Sequence, residues 1–333
     1  MNKQRVEQIL ARFARQRILV VGDLMLDRYI RGTVSRISPE APVPVVHVTD
    51  ERFVPGGASN VAHNVAALGG RGAVAGVLGR DTAAADLLGV LRARKVNVDA
   101  ALRLPGYRTI VKTRIVAERQ QVVRVDWEHR LDLTGRPQAQ FLQRLAKAVS
   151  LADGVIIEDY GKGLIAQPIV DTVLEAARRR KLPVGLDPKD NEELDVRGIT
   201  LATPNRKEAF VAAGREDPGA GPDPLKDTAL LEVGARLLTL WKPQFLNITL
   251  GALGMLLLEK GQPPRHVPTR AREVFDVSGA GDTVIATCVL ALAAGANHLE
   301  ASEIANIAAG VVVGKLGTAT CTQRELLDYL EKA

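Results

Sequence analysis

Aromatic residues and cysteines are both scarce in this sequence of 333 residues. Phe, Trp and Tyr together make up 4% of the chain, and there are two cysteines. The net charge of +6 would suit an anionic partner, but no basic stretch is interleaved with rings that could stack on bases, so we expect no nucleic-acid binding. Cys288 and Cys321 show neither CxxC nor metal-site spacing, which predicts two reduced core cysteines in a cytoplasmic protein.

Long hydrophobic runs are also missing. The longest nearly uninterrupted apolar run covers residues 284–294, well short of the roughly 20 residues that a membrane helix needs, so we expect no membrane span. The N-terminal stretch lacks the apolar centre of a signal peptide and carries Glu7, which favours an amphipathic helix. An Arg-containing transit peptide is the alternative.

Short apolar runs typical of buried strands alternate with helix-like segments, and 46% hydrophobic residues are enough for a large core. We predict helices over 57–68, 82–94 and through Val173, and strands over 17–23, 73–79, 153–159, 182–187, 199–204 and 245–250. This alternation indicates an α/β fold whose mostly parallel sheet is covered on both faces. No linker divides the chain, so we expect one domain over residues 1–333.

Two stretches break the alternation. Residues 28–50 are rich in β-branched residues and prolines, and residues 107–128 have the pattern of a β-hairpin with its turn near Arg119 and Gln120. We predict that they form a small sheet projecting from the main body. Such a sheet would either cover a ligand or pair with a second copy of itself, because its edge would otherwise be exposed.

Residues 279–282, with the sequence GAGD, precede the long apolar run. The first amides of a helix lack intrahelical partners and carry partial positive charge, so a turn at Gly279, Ala280 and Gly281 without bulky side chains would leave an open anion site. Asp282 would lie in the first helical turn, where a carboxylate is also favoured for purely structural reasons. This turn by itself favours a functional and a structural interpretation equally.

Two common nucleotide motifs are absent from the sequence. The only approximation to a P-loop, GVVVGKL at 310–316, has the wrong spacing and no hydroxyl after the lysine. The first predicted strand is followed by GDLMLD rather than by the G-x-G-x-x-G fingerprint of dinucleotide-binding folds. Carboxylates at Asp23 and Asp27, near the Gly56–Gly57 turn and Asn60, instead suit a polyhydroxylated ligand such as a sugar, although loop capping would also explain them.

Taken together, these stretches resemble the PfkB (ribokinase-like) family of carbohydrate kinases over nearly the whole chain. PGGASNVAHNVAALGG (55–70) is similar to the N-terminal motif of the family and DVSGAGDTVIATCVLAL (276–292) to its C-terminal motif, while TPNRKE (203–208) and ITLGALG (248–254) match intermediate elements. The resemblance implies a ribokinase-like three-layer α/β/α fold with a β lid. It also implies an ATP- and Mg²⁺-dependent kinase, with a monovalent cation beside the anion site in some relatives.

The resemblance assigns roles to individual positions. Asp282 would be the general base and residues 279–281 would bind the transferred phosphoryl group. Asn205 and Glu208 would organise Mg²⁺, directly or through water, although Asn205 after Pro204 is also a good helix N-cap. The expected ATP-binding positions are Asn205, Arg206, Lys207, Glu208, Thr249, Gly251, Gly254 and Asn306. The expected sugar-binding positions are Asp23, Asp27, Gly56, Gly57 and Asn60.

Within the family, GDLMLDRY, SRISPEAPVPVV, EDYGKG and LDPK resemble the members that phosphorylate heptose 7-phosphate at O1. Such a substrate needs a second anion site, for which our candidates are Lys112, Arg114, Lys162 and Lys189; exposed strand cations would explain the first two nearly as well. The resemblance also implies a homodimer formed through the lid. Because the sequence stops at residue 333 without a nucleotidyltransferase motif, we expect the later adenylyl transfer to belong to another protein.

Overall fold

Eight strands form the main sheet of the computed structural model, which describes residues 1–118, 120–189, 194–271 and 273–331. From one edge to the other, these strands are β14 (Arg265–Val267), β13 (Met255–Glu259), β12 (Phe245–Thr249), β11 (Leu201–Ala202), β10 (Val184–Asp187), β9 (Gly154–Glu158), β1 (Arg17–Gly22) and β4 (Arg71–Ala75). Those from β12 to β4 pair in parallel, whereas β13 and β14 pair antiparallel. The predicted mostly parallel sheet is therefore confirmed.

Alternate residues along each strand enter separate cores on the two faces of the sheet. In β1, Ile18 and Val20 lie in one core, while Leu19 and Val21 lie in the other. The first core is covered by α1 (Lys3–Leu10), α2 (Ala58–Ala67), α3 (Thr82–Ala93), α8 (Ala280–Ala293), α9 (His298–Val313) and α10 (Gln323–Glu331). The second is covered by α4 (Gly135–Ser150), α5 (Gln167–Arg180), α6 (Arg206–Ala212) and α7 (Thr228–Leu240). These are the three layers expected of an α/β/α fold.

A separate four-stranded sheet, which we call the lid sheet, contains β2 (Leu24–Ile37), β3 (Pro44–Gly57), β7 (Ile110–Ala117) and β8 (Gln120–Trp127), in the order β3-β2-β7-β8. The two stretches predicted to leave the main body supply all four strands. The first pair is longer than predicted, because β2 and β3 keep pairing from Leu24 and Gly57 outward. The hairpin turn was predicted near Arg119, which lies outside the described residues.

One predicted strand, over residues 73–79, is wrong as a single element. The chain breaks at Gly76 into β4 and β5 (Val77–Gly79), and β5 pairs with β6 (Leu102–Leu104) in a two-stranded ribbon. A Cβ atom at Gly76 would lie 2.4 Å from the Leu24 side chain and 2.6 Å from the Gly22 carbonyl oxygen, so the chain passes too close to β1 for any other residue. The other predicted strands and bounded helices agree with the structure to within two residues at each end.

The two cysteines are unpaired and buried, as the sequence predicts. Among the described helices, none combines the length and the apolar character that crossing a bilayer requires.

Candidate active site

Acidic residues gather where the parallel strands end. Glu158 is the last residue of β9 and Asp187 the last residue of β10, and the two are register partners in the sheet. Asp23 follows β1 directly. The amino-terminal end of α8 faces the same edge of the sheet and brings Asp282 to it, since an oxygen of Asp282 lies within 4.8 Å of oxygens of Glu158 and Asp187. Crevices at the carboxyl ends of the strands are where open α/β sheets bind ligands.

Asp282 lies in the first turn of α8 and is 8% exposed. One carboxylate oxygen accepts a hydrogen bond from the Asn60 side-chain amide at 2.6 Å, and the other accepts one from the Tyr160 hydroxyl at 2.9 Å. Burial raises the pKa of Asp282 above its ordinary value, while these two hydrogen bonds favour the ionised form and partly offset that rise. Asp282 is thus held in a fixed orientation by donors from two other parts of the chain.

The turn before α8 is shorter than predicted. The helix begins at Ala280, and Gly279 is its N-cap residue with a left-handed φ of 78° that favours glycine. The Ala280 amide donates to the Val277 carbonyl oxygen at 3.2 Å, so in this structure it has a partner within the chain. Around Gly281 the space is open, because an added Cβ would have the Asp187 carboxylate at 4.0 Å as its nearest contact.

Asn60 is positioned by the start of α2. Gly57 precedes this helix with a φ of 55°, and a Cβ there would lie 2.5 Å from the Asp23 carbonyl oxygen, which only glycine avoids. One turn further along α2, the Asn64 side chain accepts a hydrogen bond from the Thr283 hydroxyl at 2.9 Å. The pairs Asn60–Asp282 and Asn64–Thr283 therefore fix α2 against the first turn of α8.

Glu158 and Asp187 were not among the residues singled out from the sequence. Burial, followed by the charges of Asp187 and Asp282, raises the pKa of Glu158 well above its ordinary value. Burial and the charges of Glu208 and Asp282 raise the pKa of Asp187 to about 8. Oxygen Oε2 of Glu158 is buried and has no hydrogen-bond partner. The available signal was an acid at the end of two apolar runs, DGVIIED and LPVGLD.

The cluster of Glu158, Asp187 and Asp282 has the donor type that hard divalent cations prefer. Three acids this close repel each other when ionised, and an unpartnered buried carboxylate oxygen is costly. A divalent cation would relieve both effects, so these residues fit one. This cluster differs from the metal pair predicted from the sequence.

Asn205 and Glu208, the predicted metal pair, form a capping box at the start of α6. The Asn205 side chain accepts from the Glu208 amide at 3.0 Å, and the Glu208 carboxylate accepts from the Asn205 amide at 2.9 Å. The structure therefore has the helix N-cap that was the alternative interpretation of Asn205. Direct coordination would compete with these bonds, and a metal role for the pair stays a prediction.

Arg206, predicted to bind ATP, is engaged within the protein. Its guanidinium group donates to the carboxylates of Asp217 and Asp227 and stacks on the Phe210 ring. These contacts tie α6 to the chain before α7. Lys207 is the next residue of α6, and the ATP roles of both side chains stay predictions.

The predicted sugar-binding acids also have partners in the chain. Asp23 accepts hydrogen bonds from the backbone amides of Tyr160, Lys162 and Leu164, every second residue of one loop, at 3.2, 3.1 and 3.4 Å. It thereby holds the loop that carries Tyr160. Asp27 forms an ion pair with Arg114 at 2.8 Å, and Gly56 lies so close to it that an added Cβ would be 3.1 Å from the carboxylate.

Three of the four predicted phosphate-binding cations lie near the junction of the lid sheet and the main body. Lys112 is the register partner of Asp27 across β2 and β7, and burial lowers its pKa. Arg114 lies two residues further on the same strand, and Lys162 pairs with Glu128 at 2.8 Å. The fourth, Lys189, pairs with Glu208 at 3.8 Å, and its side chain lies beside Gly161, the residue before Lys162.

The remaining predicted nucleotide positions lie around the β12–β13 turn and α9. Thr249 ends β12 and bridges to Asn205. Gly251 begins a short 3₁₀ turn and Gly254 follows it, with φ of 58° and 88°. A Cβ at Gly254 would lie 2.2 Å from the Val267 carbonyl oxygen, so the turn itself requires glycine. Asn306 is buried and donates to the Pro268 carbonyl oxygen at 2.7 Å. Their ATP contacts stay predictions.

Comparison with known proteins places this geometry in a family. The model of the pfkB family of carbohydrate kinases matches residues 15–325. The bifunctional protein HldE of Caulobacter vibrioides is 44% identical over 316 residues, which cover 94% of this chain and 63% of that protein. The protein of the same name from Geobacter metallireducens is 42% identical over 331 residues, covering 99% and 66%. The chain thus spans about two thirds of the length of these relatives.

Solved structures share the fold at much lower identity. A ribokinase from Arabidopsis thaliana complexed with ribose and ATP superposes with a TM-score of 0.74 at 20% identity, covering 95% of this chain and 99% of that one. The tetrameric inhibited form of phosphofructokinase-2 from Escherichia coli gives the same TM-score, identity and coverage. The ribokinase-like fold predicted from the sequence is confirmed.

Proposed function

The chain belongs to the pfkB family of carbohydrate kinases, and we propose that it transfers the terminal phosphoryl group of ATP to O1 of D-glycero-β-D-manno-heptose 7-phosphate. The product would be the 1,7-bisphosphate, on the way to ADP-heptose and the lipopolysaccharide core. A cytoplasmic location goes with this proposal, because ATP is the phosphoryl donor. The sugar and the position of transfer rest on the sequence stretches that resemble heptose 7-phosphate kinases.

The observation that carries the proposal is the orientation of Asp282. Its carboxylate is buried at the start of α8, where Asn60 and Tyr160 donate to its two oxygens. Each carboxylate oxygen accepts more than one hydrogen bond, so room is left for the sugar hydroxyl. In the proposed reaction Asp282 accepts the hydroxyl proton as the new bond to phosphorus forms, a step that needs only a weak base in a largely dissociative transfer.

The transferred phosphoryl group would lie against the first turn of α8. Gly281 has no side chain to fill this space, and the positive end of the helix dipole faces it. Negative charge that builds on the phosphoryl oxygens would be stabilised there. Gly279 would contribute mainly through its left-handed conformation, which starts the helix.

Mg²⁺ fits the carboxylates of Glu158 and Asp187, with the orphaned oxygen of Glu158 as the supporting feature. When bound, Mg²⁺ would neutralise charge on the ATP phosphates. Asn205 and Glu208 would reach it through water, consistent with the preference of Mg²⁺ for few carboxylates and several waters. Thr203 donates to Asp187 at 3.0 Å and orients that carboxylate.

Substrate recognition would involve the junction of the lid sheet and the main body. Lys112, Arg114 and Lys162 bring positive charge to this junction, and we assign the 7-phosphate to them rather than to Lys189. Each already has an acidic neighbour, so the phosphate would replace or share an existing contact. The sugar hydroxyls would donate hydrogen bonds to the carboxylate of Asp27 and to the remaining lone pairs of the Asp23 carboxylate.

A homodimer through the lid sheet is part of the proposal. Val48, Val122, Val125 and Trp127 of this sheet are between 39% and 53% exposed. Exposed apolar side chains on an open sheet mark a surface that is covered by a partner or prone to association. Light scattering at micromolar concentration should give twice the monomer mass of 35.7 kDa.

The substrate is tested by measuring ADP release from the purified protein with heptose 7-phosphate, fructose 6-phosphate and ribose in parallel. We expect turnover with the heptose phosphate that exceeds the other two by at least tenfold in kcat/KM. Preference for ribose or fructose 6-phosphate would instead support another sugar kinase of the same family. Binding of sugar phosphate without turnover of any substrate would support a non-catalytic sensor.

A further inference from the structure

A groove on the edge of the main sheet lies away from the site described above. It has a volume of about 720 Å³ and runs between α4 and the amino-terminal ends of β1 and β4. Ala73 lines it from the sheet, and Ala148 of α4 and Leu151, the residue that follows this helix, line it from the other side. Leu151, the C-cap residue of α4, is 57% exposed. The groove wall therefore contains one exposed leucine beside the smaller Ala73 and Ala148.

The rim of this groove is strongly basic. It carries one acidic residue, Asp99, and five basic residues, which are Arg17, Arg71, Lys95, Arg144 and Lys147. Within the described ranges, no carboxylate pairs with any of the five side chains. Two of them donate to backbone carbonyl oxygens, Arg71 to Ala14 at 3.0 Å and Arg144 to Ala101 at 3.1 Å, which fixes their direction but leaves their charge uncompensated.

Two features of the groove would favour a bound anion. Arg17 and Arg71 are register partners on neighbouring strands, and like charges side by side on a sheet are destabilising. Arg144, Lys147, Ala148 and Leu151 follow the 3–4 spacing of one helix face, so the charged and apolar parts of the groove wall belong to the same surface of α4. A bound anion with an apolar body would offset both the repulsion and the exposed apolar lining.

We propose that this groove binds a small amphipathic anion, a single hydrocarbon chain that ends in a phosphate. The volume falls in the range of small-molecule sites, about 300–1,000 Å³. The basic rim would hold the phosphate, and the apolar side chains between the cations would contact the hydrocarbon chain. A protein partner would need about 800 Å² of surface on this side, more than a groove of this size offers. Aromatic side chains that could stack on nucleic-acid bases do not line the groove.

The groove is separate from the proposed active site. Strand β1 begins at the groove with Arg17 and ends at Gly22, next to the cluster of acids. The groove therefore lies at the amino-terminal ends of the parallel strands and the proposed active site at their carboxyl ends. The inference rests on the cations and the apolar lining alone and does not depend on the kinase reaction.

Isothermal titration calorimetry of the full chain with dodecyl phosphate, below its micelle concentration and at about 150 mM salt, tests the proposal. We expect one molecule to bind per chain, at least tenfold more tightly than inorganic phosphate or the uncharged detergent dodecyl maltoside. Equal binding of either comparison compound, or no binding of dodecyl phosphate, would overturn it. Tighter binding to vesicles that contain phosphatidic acid would replace it with a membrane-docking surface.

The site is mapped with the double variant R144E/K147E and the matched control R178E/K181E. Both change the net charge by the same amount, and Arg178 and Lys181 are exposed at the end of α5, outside this groove. We expect at least a tenfold loss of dodecyl phosphate affinity in the groove variant and less than a twofold change in the control. The Ala148→Phe variant, which fills the groove without changing charge, should lose affinity as well. Equal losses in both charge variants would mean nonspecific attraction and would refute the site.

Discussion

Replacing Asp282 by Asn tests whether this side chain is the general base. Asn has nearly the same shape, so the packing around the first turn of α8 should persist. Its amide oxygen can still accept from Asn60, and the Tyr160 hydroxyl can rotate and accept from the new amide group instead of donating. The variant loses the negative charge and the ability to accept a proton, and keeps its neighbours.

The size of the effect follows from this geometry. A positioned general base contributes about 10²–10⁴ to the rate, so kcat of Asp282→Asn should fall at least 100-fold. The KM for ATP should change by less than about threefold, because the substitution removes an interaction that strengthens only in the transition state. Stability should be kept or rise, because burial already disfavours the ionised form of Asp282 and the charges of three close acids oppose one another.

Steady-state kinetics with heptose 7-phosphate and thermal unfolding of the same preparations give both quantities. The matched control is Asp153→Asn, an equivalent change at the residue before β9, at the opposite end of that strand from Glu158, which should keep activity within twofold. If Asp282→Asn retains more than a tenth of the wild-type kcat, then Asp282 is only a favourable carboxylate at a helix end, and the proposed proton transfer is wrong.

Three further predictions follow from individual contacts. Gly281→Ala should lower kcat at least tenfold without loss of stability, since the methyl group enters open space beside Asp187. Gly279→Ala should instead lower the free energy of unfolding in urea by about 1–2 kcal/mol, because Gly279 has a left-handed φ. Normal turnover by Gly281→Ala would place the transferred phosphoryl group elsewhere. Tyr160→Phe removes the donor to the active-site carboxylate and should reduce kcat about tenfold with KM for ATP within twofold, as a hydrogen bond to a charged group contributes about 1.5–3 kcal/mol; a loss confined to stability would make Tyr160 purely structural. Burial and the charge of Arg94 lower the pKa of His63 from 6.5 to about 4, so the folded state binds fewer protons than the unfolded state between these two pH values. The contribution of His63 to stability should be complete above pH 6.5, and the free energy of unfolding should fall by at most about 3 kcal/mol toward pH 4. His63→Leu should flatten this pH dependence in urea titrations at pH 5 and 7.

Most of the fold could be predicted because its signals are local. The alternation of short apolar runs with helical segments depends on spacing within about ten residues, and it led to the correct fold class and to most element boundaries. The break at Gly76 could not be found in this way. It depends on the approach of Leu24 and of the Gly22 carbonyl oxygen, which belong to a distant part of the chain.

In the candidate site, too, the local features could be predicted from the sequence and the long-range contacts could not. The sequence by itself determined that Asp282 starts a helix behind a glycine, because helix starts are set by neighbouring residues. Only the tertiary structure decided that Asn60 and Tyr160 hold that carboxylate, since they are 222 and 122 residues away and meet it through the packing of α2 and of the loop after β9 against α8.

The acid cluster shows most directly why the sequence alone did not indicate which side chains meet in the site. Glu158 and Asp187 each end an apolar run, but the register of β9 against β10 makes them neighbours, and α8 adds the third acid. Asn205 and Glu208, by contrast, are three residues apart and satisfy each other locally in a capping box. Which acids face one another across a site depends on strand register and helix packing, long-range terms that the spacing of residues along the chain does not encode.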